Sequence, residues 1–266
     1  MTGQDGVVTP PREWDAVAYD ALPLPHERWG RGVLERLPLR GNERVLDVGA
    51  GTGRDTAALL QRLPRGHVVA VDASERMLTR LRARLPAEPR LTVLHADLRA
   101  PLPLQVPVDA VFSVATLHWL PDHDGLFHRL ADVMRPGALL RAEWGGAGNL
   151  ANVEAALRSI GLSTIDDTLG FATAGQTARR LRGAGFVDVE VRTVADPARL
   201  APGAQLEAFL GTVVLGAVLD PLPETDRAGV VREVAARLPA PQVDYVRLQA
   251  SATRVREQPC RLRSTP

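Results

Sequence analysis

The sequence predicts an α/β fold built on a doubly wound, mostly parallel sheet, on two observations. Short apolar runs typical of buried strands alternate with segments whose apolar residues recur at helical spacing. The chain, with 266 residues of which 45% are hydrophobic, is also long enough to bury a large core. Because such alternation favours right-handed crossovers and a parallel sheet, we expect ligands at the carboxyl ends of the strands.

The first part of the chain is predicted to be a tail followed by helix. Residues 1–12 are polar and predict a disordered tail. From Trp14 to Leu37 the apolar residues follow a helical pattern, which predicts an N-terminal helical cap over 13–40.

The strand–helix alternation occupies the next part, which we predict to be a cofactor-binding core over 41–200. Strands are predicted at 44–48, 67–71, 91–95, 108–114 and 138–143. A helix is predicted over about 124–134, and Arg135-Pro136-Gly137 predicts a turn into the fifth strand.

Beyond Trp144 the alternation is less regular. The pattern predicts a helix at 173–183, a sixth strand at 186–194, two helices at 206–219 and 225–238, and a last strand at 243–255. The two helices form a late helical insertion over 201–240, which we expect to cover the acceptor site, and 241–266 holds the last strand and a tail.

Composition excludes several functions. The 32 basic and 31 acidic residues are spread along the chain with a net charge of +1, so neither nucleic acid nor an anionic membrane is expected as a partner. All the basic residues are arginine. Without lysine the chain can be neither a phosphate-loop nucleotidase nor a Schiff-base enzyme.

Cysteine usage predicts a cytoplasmic protein without a bound metal. The single cysteine, Cys260, excludes an internal disulfide and a cysteine-based metal cluster. The first residues lack the apolar core of an export signal, and the longest apolar run, 209–219, is too short to span a bilayer. His123 and His128 have no convincing metal-ligand spacing with nearby acids.

A glycine-rich segment follows the first predicted strand. It reads Asp47-Val-Gly49-Ala-Gly51-Thr-Gly53, and alternate glycines let a backbone turn tightly and approach a ligand closely. Asp72 ends the second strand, 19 residues beyond Gly53, where a carboxylate can accept both ribose hydroxyls of a nucleoside. These residues together indicate a cofactor that contains adenosine.

The details of the segment favour one such cofactor. A dinucleotide site needs a third glycine, and the corresponding position holds Arg54 or Thr52, which argues against a nicotinamide dehydrogenase. The charge of Asp47 would also repel a phosphate. An acid beside the loop suits a ligand with a cationic end, and S-adenosylmethionine has a sulfonium, an ammonium and no phosphate.

Five segments carry a family resemblance. VLDVGAGTGRDT, VAVDASERML, LHADLR, VDAVFSVATLHWLPD and MRPGALL, in this order and spacing, resemble the motifs of class I S-adenosylmethionine-dependent methyltransferases. The resemblance covers about residues 14–145, and is greatest to the group that contains trans-aconitate methyltransferase. It implies a Rossmann-like seven-stranded sheet and methyl transfer to a small-molecule acceptor, either a carboxylic acid or a secondary metabolite.

The resemblance also implies roles for the glycine-rich segment. Asp47 is expected near the methionine ammonium of the cofactor. Gly49, Gly51 and Gly53 are expected to form a wall against its methionine and ribose portions. Ala50 stands where many relatives have cysteine or glycine, a small change that leaves the wall intact.

The same comparison implies roles for residues after the next two strands. Asp72 is expected to bind the ribose hydroxyls. Met77 or its neighbour Ala73 is expected to pack on the adenine, although Met77 at helical spacing is equally typical of core. Asp97 is expected to accept the adenine amino group beside the backbone of Leu98, or else only to cap the next turn.

The end of the fourth strand is expected to face the reacting groups. The resemblance implies that Val114 offers its carbonyl to the methionine end. His118 follows, where it can act as a general base on the acceptor or simply hydrogen-bond the loop, with Trp119 packed beneath the sheet edge. Both readings of His118 stay open.

The N-terminal segment supplies further candidates, because in similar enzymes it closes over the cofactor and borders the acceptor cavity. Tyr19 is a second candidate for a catalytic role, and His26 lies nearby in the sequence. Arg28 is a candidate for binding the methionine carboxylate or an acidic substrate, and Arg54 competes for that role.

The sequence therefore predicts an S-adenosylmethionine-dependent methyltransferase that acts by direct displacement. The acceptor pocket is expected between the N-terminal helix, the loop 118–124, the segment 143–146 and the helices of 206–238. A methyltransferase-fold protein that binds the cofactor as a non-methylating cyclase or regulatory module is the alternative. Neither the acceptor nor the oligomeric state follows from the residues.

Overall fold

The computed structural model describes residues 11–162, 165 and 169–256, so residues 1–10 of the predicted tail and Cys260 lie outside the described residues. Its strands are β1 (Arg44–Val48), β2 (His67–Asp72), β3 (Leu91–His95), β4 (Val108–Val114), β5 (Met134–Gly145), β6 (Phe186–Ala195), β7 (Ala198–Arg199), β8 (Gln242–Val243) and β9 (Val246–Arg254). Its helices are α1 (Ala16–Ala21), α2 (His26–Glu35), α3 (Arg54–Arg62), α4 (Glu75–Arg84), α5 (His123–Asp132), α6 (Ala151–Ser159), α7 (Ala174–Gly183), α8 (Ala204–Phe209), α9 (Gly216–Leu219) and α10 (Glu224–Arg237).

A seven-stranded sheet in the order β3-β2-β1-β4-β5-β9-β6 forms the centre of the fold. Strands β1 to β5 pair in parallel, and β9 is antiparallel to both β5 and β6. The predicted α/β, mostly parallel seven-stranded sheet is therefore confirmed. The strand order reverses between β1 and β4, and in such sheets a crevice opens at the carboxyl ends of the two strands.

Side chains of alternate strand residues pack into two layers. On one face, Phe112 packs with α2, α3 and α6, represented by Val33, Leu59 and Leu157. On the other face, Val111 packs with residues of α5 and α7 such as Phe127. Because adjacent residues of a strand point to opposite faces, these apolar strands are covered on both sides, as parallel sheets require.

The predicted turn at Arg135-Pro136-Gly137 is instead an irregularity inside β5. The register with β4 shifts between Val108 and Ala110, whose partners on β5 are Met134 and Leu139. Proline has no N–H for the ladder, and Gly137 has a φ of +84°. The strand therefore bulges here and continues, rather than beginning after a turn.

The two helical regions differ from their patterns in continuity. The N-terminal cap is two helices, α1 and α2, separated by a segment that contains Pro23 and Pro25. The predicted helix 206–219 divides into α8, a π-helical segment Leu210–Val214 and α9. The predicted last strand 243–255 likewise divides into β8 and β9.

Helix α6 and strand β7 were not predicted. Helix α6 follows a stretch with three glycines, Gly145, Gly146 and Gly148, and begins after Leu150, whose φ is +63°. The short β7–β8 pair joins residues 198–199 to 242–243, a contact that local patterns do not indicate. Along the described ranges, none of the helices has the length and apolar character needed to cross a membrane.

Candidate functional site

The glycine-rich segment forms a tight loop between β1 and α3. Gly49, Gly51 and Gly53 have φ values of +72°, +53° and +82°. The amide groups of Gly49 and Ala50 donate to the Val71 carbonyl at 2.8 and 3.0 Å. A Cβ on Gly49 would overlap the Thr116 side chain, whereas one on Gly51 would meet nothing within 4 Å. The loop thus leaves open space beside Gly51.

Asp72, at the end of β2, is held by backbone N–H groups. Its Oδ2 accepts from Gly51 N–H and its Oδ1 from Ser74 N–H, each at 2.9 Å. Burial raises the pKa of this carboxyl above its usual range, and the two N–H donors oppose that rise. The carboxylate is therefore fixed in position next to the glycine loop.

A cavity of about 550 Å³ opens over this loop. Eleven of the fourteen predicted site residues line it: Tyr19, Gly49, Ala50, Gly51, Asp72, Ala73, Met77, Asp97, Leu98, Val114 and His118. Asp47, Gly53 and Arg28 are not among its lining residues. The cavity follows the carboxyl ends of the strands, from a "β2 end" at Met77 and Leu98 to a "β5 end" at His118, Tyr245 and Arg247.

Asp47 and Gly53 lie beneath the loop, not on the cavity wall. Asp47 is 2% exposed, and its Oδ2 accepts a 2.6 Å hydrogen bond from Thr56 Oγ1. Burial raises the pKa of Asp47 to about 8. Gly53 caps α3, and a Cβ there would lie 2.7 Å from Leu81. Neither residue lines the cavity, and their contacts with the cofactor stay predictions.

Replacing Asp47 by asparagine is expected to stabilise the fold at alkaline pH. Since the folded protein raises this pKa to about 8, burying the carboxyl costs stability as pH rises above the unfolded pKa of roughly 4 and most fully above 8. Asparagine keeps an acceptor for Thr56 without the charge. Urea unfolding at pH 6 and 8.5 should show Asp47→Asn gaining on the wild type by roughly 1–3 kcal/mol as pH rises. A constant difference would show that Asp47 does not titrate in this window.

The β2 end is an apolar slot with an acid at its edge. Met77 and Leu98 are buried. Asp97 accepts from the Arg99 backbone N–H at 2.9 Å and from Arg99 Nε at 2.7 Å. Asp97 thus makes the turn contact that was its alternative interpretation, while also lining the cavity.

Carboxylates of the N-terminal segment hold that segment over the loop. Glu13 accepts from Ser74 Oγ at 2.8 Å. Asp20 accepts from Thr52 Oγ1 at 2.7 Å and from Arg84 Nη2 at 2.9 Å. Sequence reasoning missed both acids, because their partners are 32 to 64 residues away in the chain. The cap predicted over 13–40 closes one side of the cavity.

The two arginines considered for a carboxylate are already paired. Arg28 Nη2 donates to Asp196 at 2.9 Å, and the Arg28 side chain is 65% exposed outside the cavity. Arg54 lines the cavity, but it donates to Glu27 at 2.8 Å and to the Asp20 carbonyl at 2.7 Å. The ion pair with Asp196 explains why the Arg28 side chain lies outside the cavity.

Asp55 is a site candidate that sequence reasoning missed. It lies in the first turn of α3 and lines the cavity. Among the described residues, its carboxylate has no hydrogen-bond or ion-pair partner. Burial, and then the charge of Glu27, raise the pKa of Asp55 to about 7. Its position directly after the glycine loop is the feature of the sequence that could have identified it. Gly30 of α2 leaves room for the Asp55 side chain.

At the β5 end, His118 is buried among aromatic and backbone groups. Its Nδ1 accepts from Gly145 N–H at 3.4 Å, and its ring stacks on Phe171 with centroids 5.7 Å apart. Burial lowers the pKa of His118 to about 3. The imidazole is therefore neutral at neutral pH, with its proton on Nε2.

Tyr19 and His26 form a second neutral pair. Tyr19 Oη and His26 Nδ1 share a 2.8 Å hydrogen bond. Burial lowers the pKa of His26 to about 3 and raises the pKa of Tyr19 above its usual value. Tyr19 is thus a neutral hydroxyl on the cavity wall.

Arg247 was not predicted, although it is the cation of the β5 end. It is 5% exposed, forms ion pairs with Glu143 and with Asp196, the latter at 3.0 Å, and lies 4.2 Å from the centre of the Trp29 ring. Burial lowers its pKa to about 9. Its position on β9, the last strand in the chain, places it beside β5 only after folding.

These groups fit S-adenosylmethionine. The loop offers space beside Gly51, Asp72 is fixed next to it, and the β2 end is an apolar slot for a base. Asp55 supplies an unpaired negative charge for a cationic group. A diphosphate would instead meet the carboxylates of Asp55 and Asp72, and Arg54, which follows the glycine loop, is already paired with Glu27 and Asp20.

Comparison with known proteins agrees with this fit. A family model described as a methyltransferase domain matches residues 45–137. The trans-aconitate 2-methyltransferase of Methylobacterium radiotolerans is 32% identical over 231 residues, which are 82% of this chain and 85% of that protein. That of Azoarcus sp. is 40% identical over 127 residues, 48% of this chain and 49% of that protein. The second match thus spans about half of each chain.

A solved structure agrees at the level of the fold. Phosphoethanolamine N-methyltransferase 2 of Haemonchus contortus, in complex with phosphomonomethylethanolamine and S-adenosylhomocysteine, superimposes with a TM-score of 0.60 at 20% identity. The superposition covers 86% of this chain and 53% of that chain. This chain therefore corresponds to about half of that protein.

Proposed function

Because this chain belongs to the class I S-adenosylmethionine-dependent methyltransferases, in the group of the trans-aconitate 2-methyltransferases, we propose that it methylates a carboxylate oxygen of a small organic acid. The chain is an S-adenosylmethionine-dependent methyltransferase and S-adenosylmethionine is its cofactor. Its acceptor is a small molecule. An organic acid as acceptor is suggested by the activity of the two relatives, both trans-aconitate 2-methyltransferases, and by the chemistry of the β5 end.

The observation that supports a carboxylate acceptor is the state of the two histidines at the β5 end. His118 uses its Nδ1 lone pair to accept from Gly145, and His26 Nδ1 is engaged with Tyr19. The lowered pKa values of both rings make them poor bases for removing a proton from an alcohol or a protonated amine. A carboxylate is already anionic at neutral pH and needs no base.

The residues around the glycine loop are proposed to position the cofactor. When bound, S-adenosylmethionine supplies a methyl group on a good leaving group. Asp72 is proposed to bind the ribose hydroxyls, and Met77 and Leu98 to pack on the adenine. Asp55, rather than the buried Asp47, is proposed to receive the methionine ammonium, because its carboxylate reaches the cavity without a partner.

The other residues of the site are proposed to align the acceptor with the methyl group and to exclude water from the cavity. Glu13 and Asp20 hold the N-terminal segment down, which keeps the cavity covered on that side. His118 is proposed to donate a hydrogen bond from Nε2 to the acceptor carboxylate, and Tyr19 to support the wall through His26. Holding nucleophile and methyl carbon in line is the main requirement of a displacement.

Replacing His118 by glutamine is expected to slow turnover by no more than about tenfold, because one neutral hydrogen bond is altered. The pH–rate profile between pH 6 and 8.5 should keep its shape. A general base would instead contribute roughly 10²–10⁴-fold and a titrating limb. Loss of such a limb in His118→Gln would contradict the proposed role and restore the base hypothesis.

The function is tested with S-adenosylmethionine labelled in its methyl group and a panel of small organic acids, trans-aconitate among them. We expect transfer of label to an acid, in a product that releases labelled methanol on mild alkaline treatment, as a methyl ester does. Label that resists alkali would indicate N- or C-methylation, or a methyl ether on a hydroxyl group, and would contradict a carboxylate acceptor. Cofactor binding without transfer to any acid would favour the cyclase or regulatory alternative.

A further inference from the structure

The chain's tryptophans and tyrosines are concentrated at one place. It has four tryptophans, two tyrosines and five phenylalanines. No phenylalanine lines the cavity, whereas all four tryptophans and both tyrosines do. These lining residues are Trp14, Tyr19, Trp29, Trp119, Trp144 and Tyr245. Trp144 contributes least, since its ring packs against Phe127, 6.3 Å away on the other side of the sheet. Flat aromatic side chains therefore form a large part of the wall.

At the β5 end these rings form a continuous apolar surface. Trp29 and Tyr245 meet edge to face with centroids 5.0 Å apart. Trp14 and Trp119 meet in the same way at 5.2 Å. Aliphatic side chains complete the wall here: Leu24, Leu150, Leu169, Val213 and Val214. Such a surface gains free energy by covering an apolar or aromatic ligand, and little by covering a polar one.

The cavity offers little positive charge to a ligand. Four arginines line it, and each is paired with a carboxylate: Arg12 with Asp220, Arg54 with Asp20 and Glu27, Arg99 with Asp97, and Arg247 with Glu143 and Asp196. His26 and His118 are neutral, as their lowered pKa values require. An acceptor with several carboxylates would bury negative charges without partners, which is costly.

One negative charge can still be accommodated at the β5 end. Arg247 Nε is buried and has no hydrogen-bond partner among the described residues. Nε and Nη1 of Arg12 are also buried without such a partner, but the Arg12 guanidinium packs against Gly216 and the Trp14 ring and is ion-paired with Asp220. Asn149, 3% exposed, accepts from Val246 N–H with its oxygen and keeps an amide N–H₂ as a donor on the cavity wall. His118 has its Nε2 proton. These few donors match a single carboxylate, whose charge would also balance the one sulfonium charge of the cofactor when it is bound.

We propose that the acceptor is a monocarboxylic acid with a flat apolar body, such as an aryl-substituted acid, and not a polycarboxylate. This inference rests on the proposed function for the identity of the methylated atom, a carboxylate oxygen. The argument for which acids bind in the cavity does not depend on it. The proposed acceptor differs from trans-aconitate, the substrate in the relatives' name, because trans-aconitate carries three carboxylates and no apolar face. The aromatic wall selects the body, and the paired arginines exclude further charge.

Ligand binding to the protein saturated with S-adenosylhomocysteine tests the inference directly. trans-Cinnamate and trans-aconitate are matched probes, since both carry a carboxylate on a double bond. Tryptophan fluorescence and calorimetry should show cinnamate binding at least tenfold more tightly than trans-aconitate. Cinnamamide, which lacks the charge, should bind at least tenfold more weakly than cinnamate. Tighter binding of trans-aconitate, or equal binding of cinnamamide and cinnamate, would overturn the proposal.

Variants of Tyr245 test the aromatic wall. Tyr245→Leu should weaken cinnamate at least fivefold without changing S-adenosylhomocysteine affinity, while Tyr245→Phe, which keeps the ring, should bind cinnamate like the wild type. Unchanged cinnamate binding in Tyr245→Leu would contradict a role for the ring. If Tyr245→Leu does not fold, the binding of cinnamate, cinnamamide and trans-aconitate to the wild-type protein tests the proposal by itself. Cinnamate binding without methylation would contradict only the proposed function. Methylation of trans-aconitate without cinnamate binding would contradict only this inference.

Discussion

Replacing Gly49 by alanine is expected to lower the free energy of unfolding by roughly 2–5 kcal/mol and to abolish measurable binding of S-adenosylhomocysteine. Gly49 has a φ of +72°, which costs an alanine about 1–2 kcal/mol. The added Cβ would also overlap the Thr116 side chain, which is held by its hydrogen bond to the Val114 carbonyl at 3.0 Å. Loop and β4 would have to separate, and both lie on the cavity wall.

Two other glycines provide matched controls for this variant. Gly161 has the same φ of +72° and no atom within 4 Å of a Cβ, so Gly161→Ala should cost only about 1–2 kcal/mol and leave binding intact. Gly51→Ala meets nothing in the protein but fills ligand space, so it should weaken binding more than stability. Equal stabilities of Gly49→Ala and Gly161→Ala in urea unfolding would exclude the predicted overlap.

The sheet could be predicted because its information is local. Runs such as 68–71 are apolar throughout, and the glycines that follow β1 are read directly from the sequence. The sheet's parallel pairing follows from the alternation with helices. Helix α6 and the β7–β8 pair were missed because a glycine-rich stretch hides the start of one, and a pairing across more than 40 residues makes the other.

The site could be predicted only where a motif carries it. Asp72 and Gly51 line the cavity, whereas Asp47 is hydrogen-bonded to Thr56 beneath the loop, and Arg28 is paired with Asp196 outside the cavity. Such pairings depend on which of many acids and arginines come together after folding. The same holds for Arg247, whose strand comes last in the chain and lies beside β5 in the sheet.

Replacing Asp55 by asparagine is expected to weaken S-adenosylhomocysteine binding by about 10- to 100-fold, the scale of hydrogen bonds to a charged group. The variant keeps the shape of the side chain beside Gly30 but removes its charge. 5′-Methylthioadenosine, which has the nucleoside and thioether without the ammonium, should bind the variant and the wild type equally. Asp72→Asn is the contrasting variant, because the ribose contact is common to both ligands and both should weaken.

The pH dependence of binding gives an independent measure of Asp55. Since burial raises its pKa to about 7, the carboxyl is mostly protonated at pH 6 and mostly charged at pH 8. Calorimetry should therefore show S-adenosylhomocysteine affinity rising from pH 6 to 8 in the wild type. The rise should be smaller in Asp55→Asn and absent with 5′-methylthioadenosine. Asp47 titrates in a similar range, so a rise that persists fully in Asp55→Asn would assign the ammonium contact to Asp47 instead.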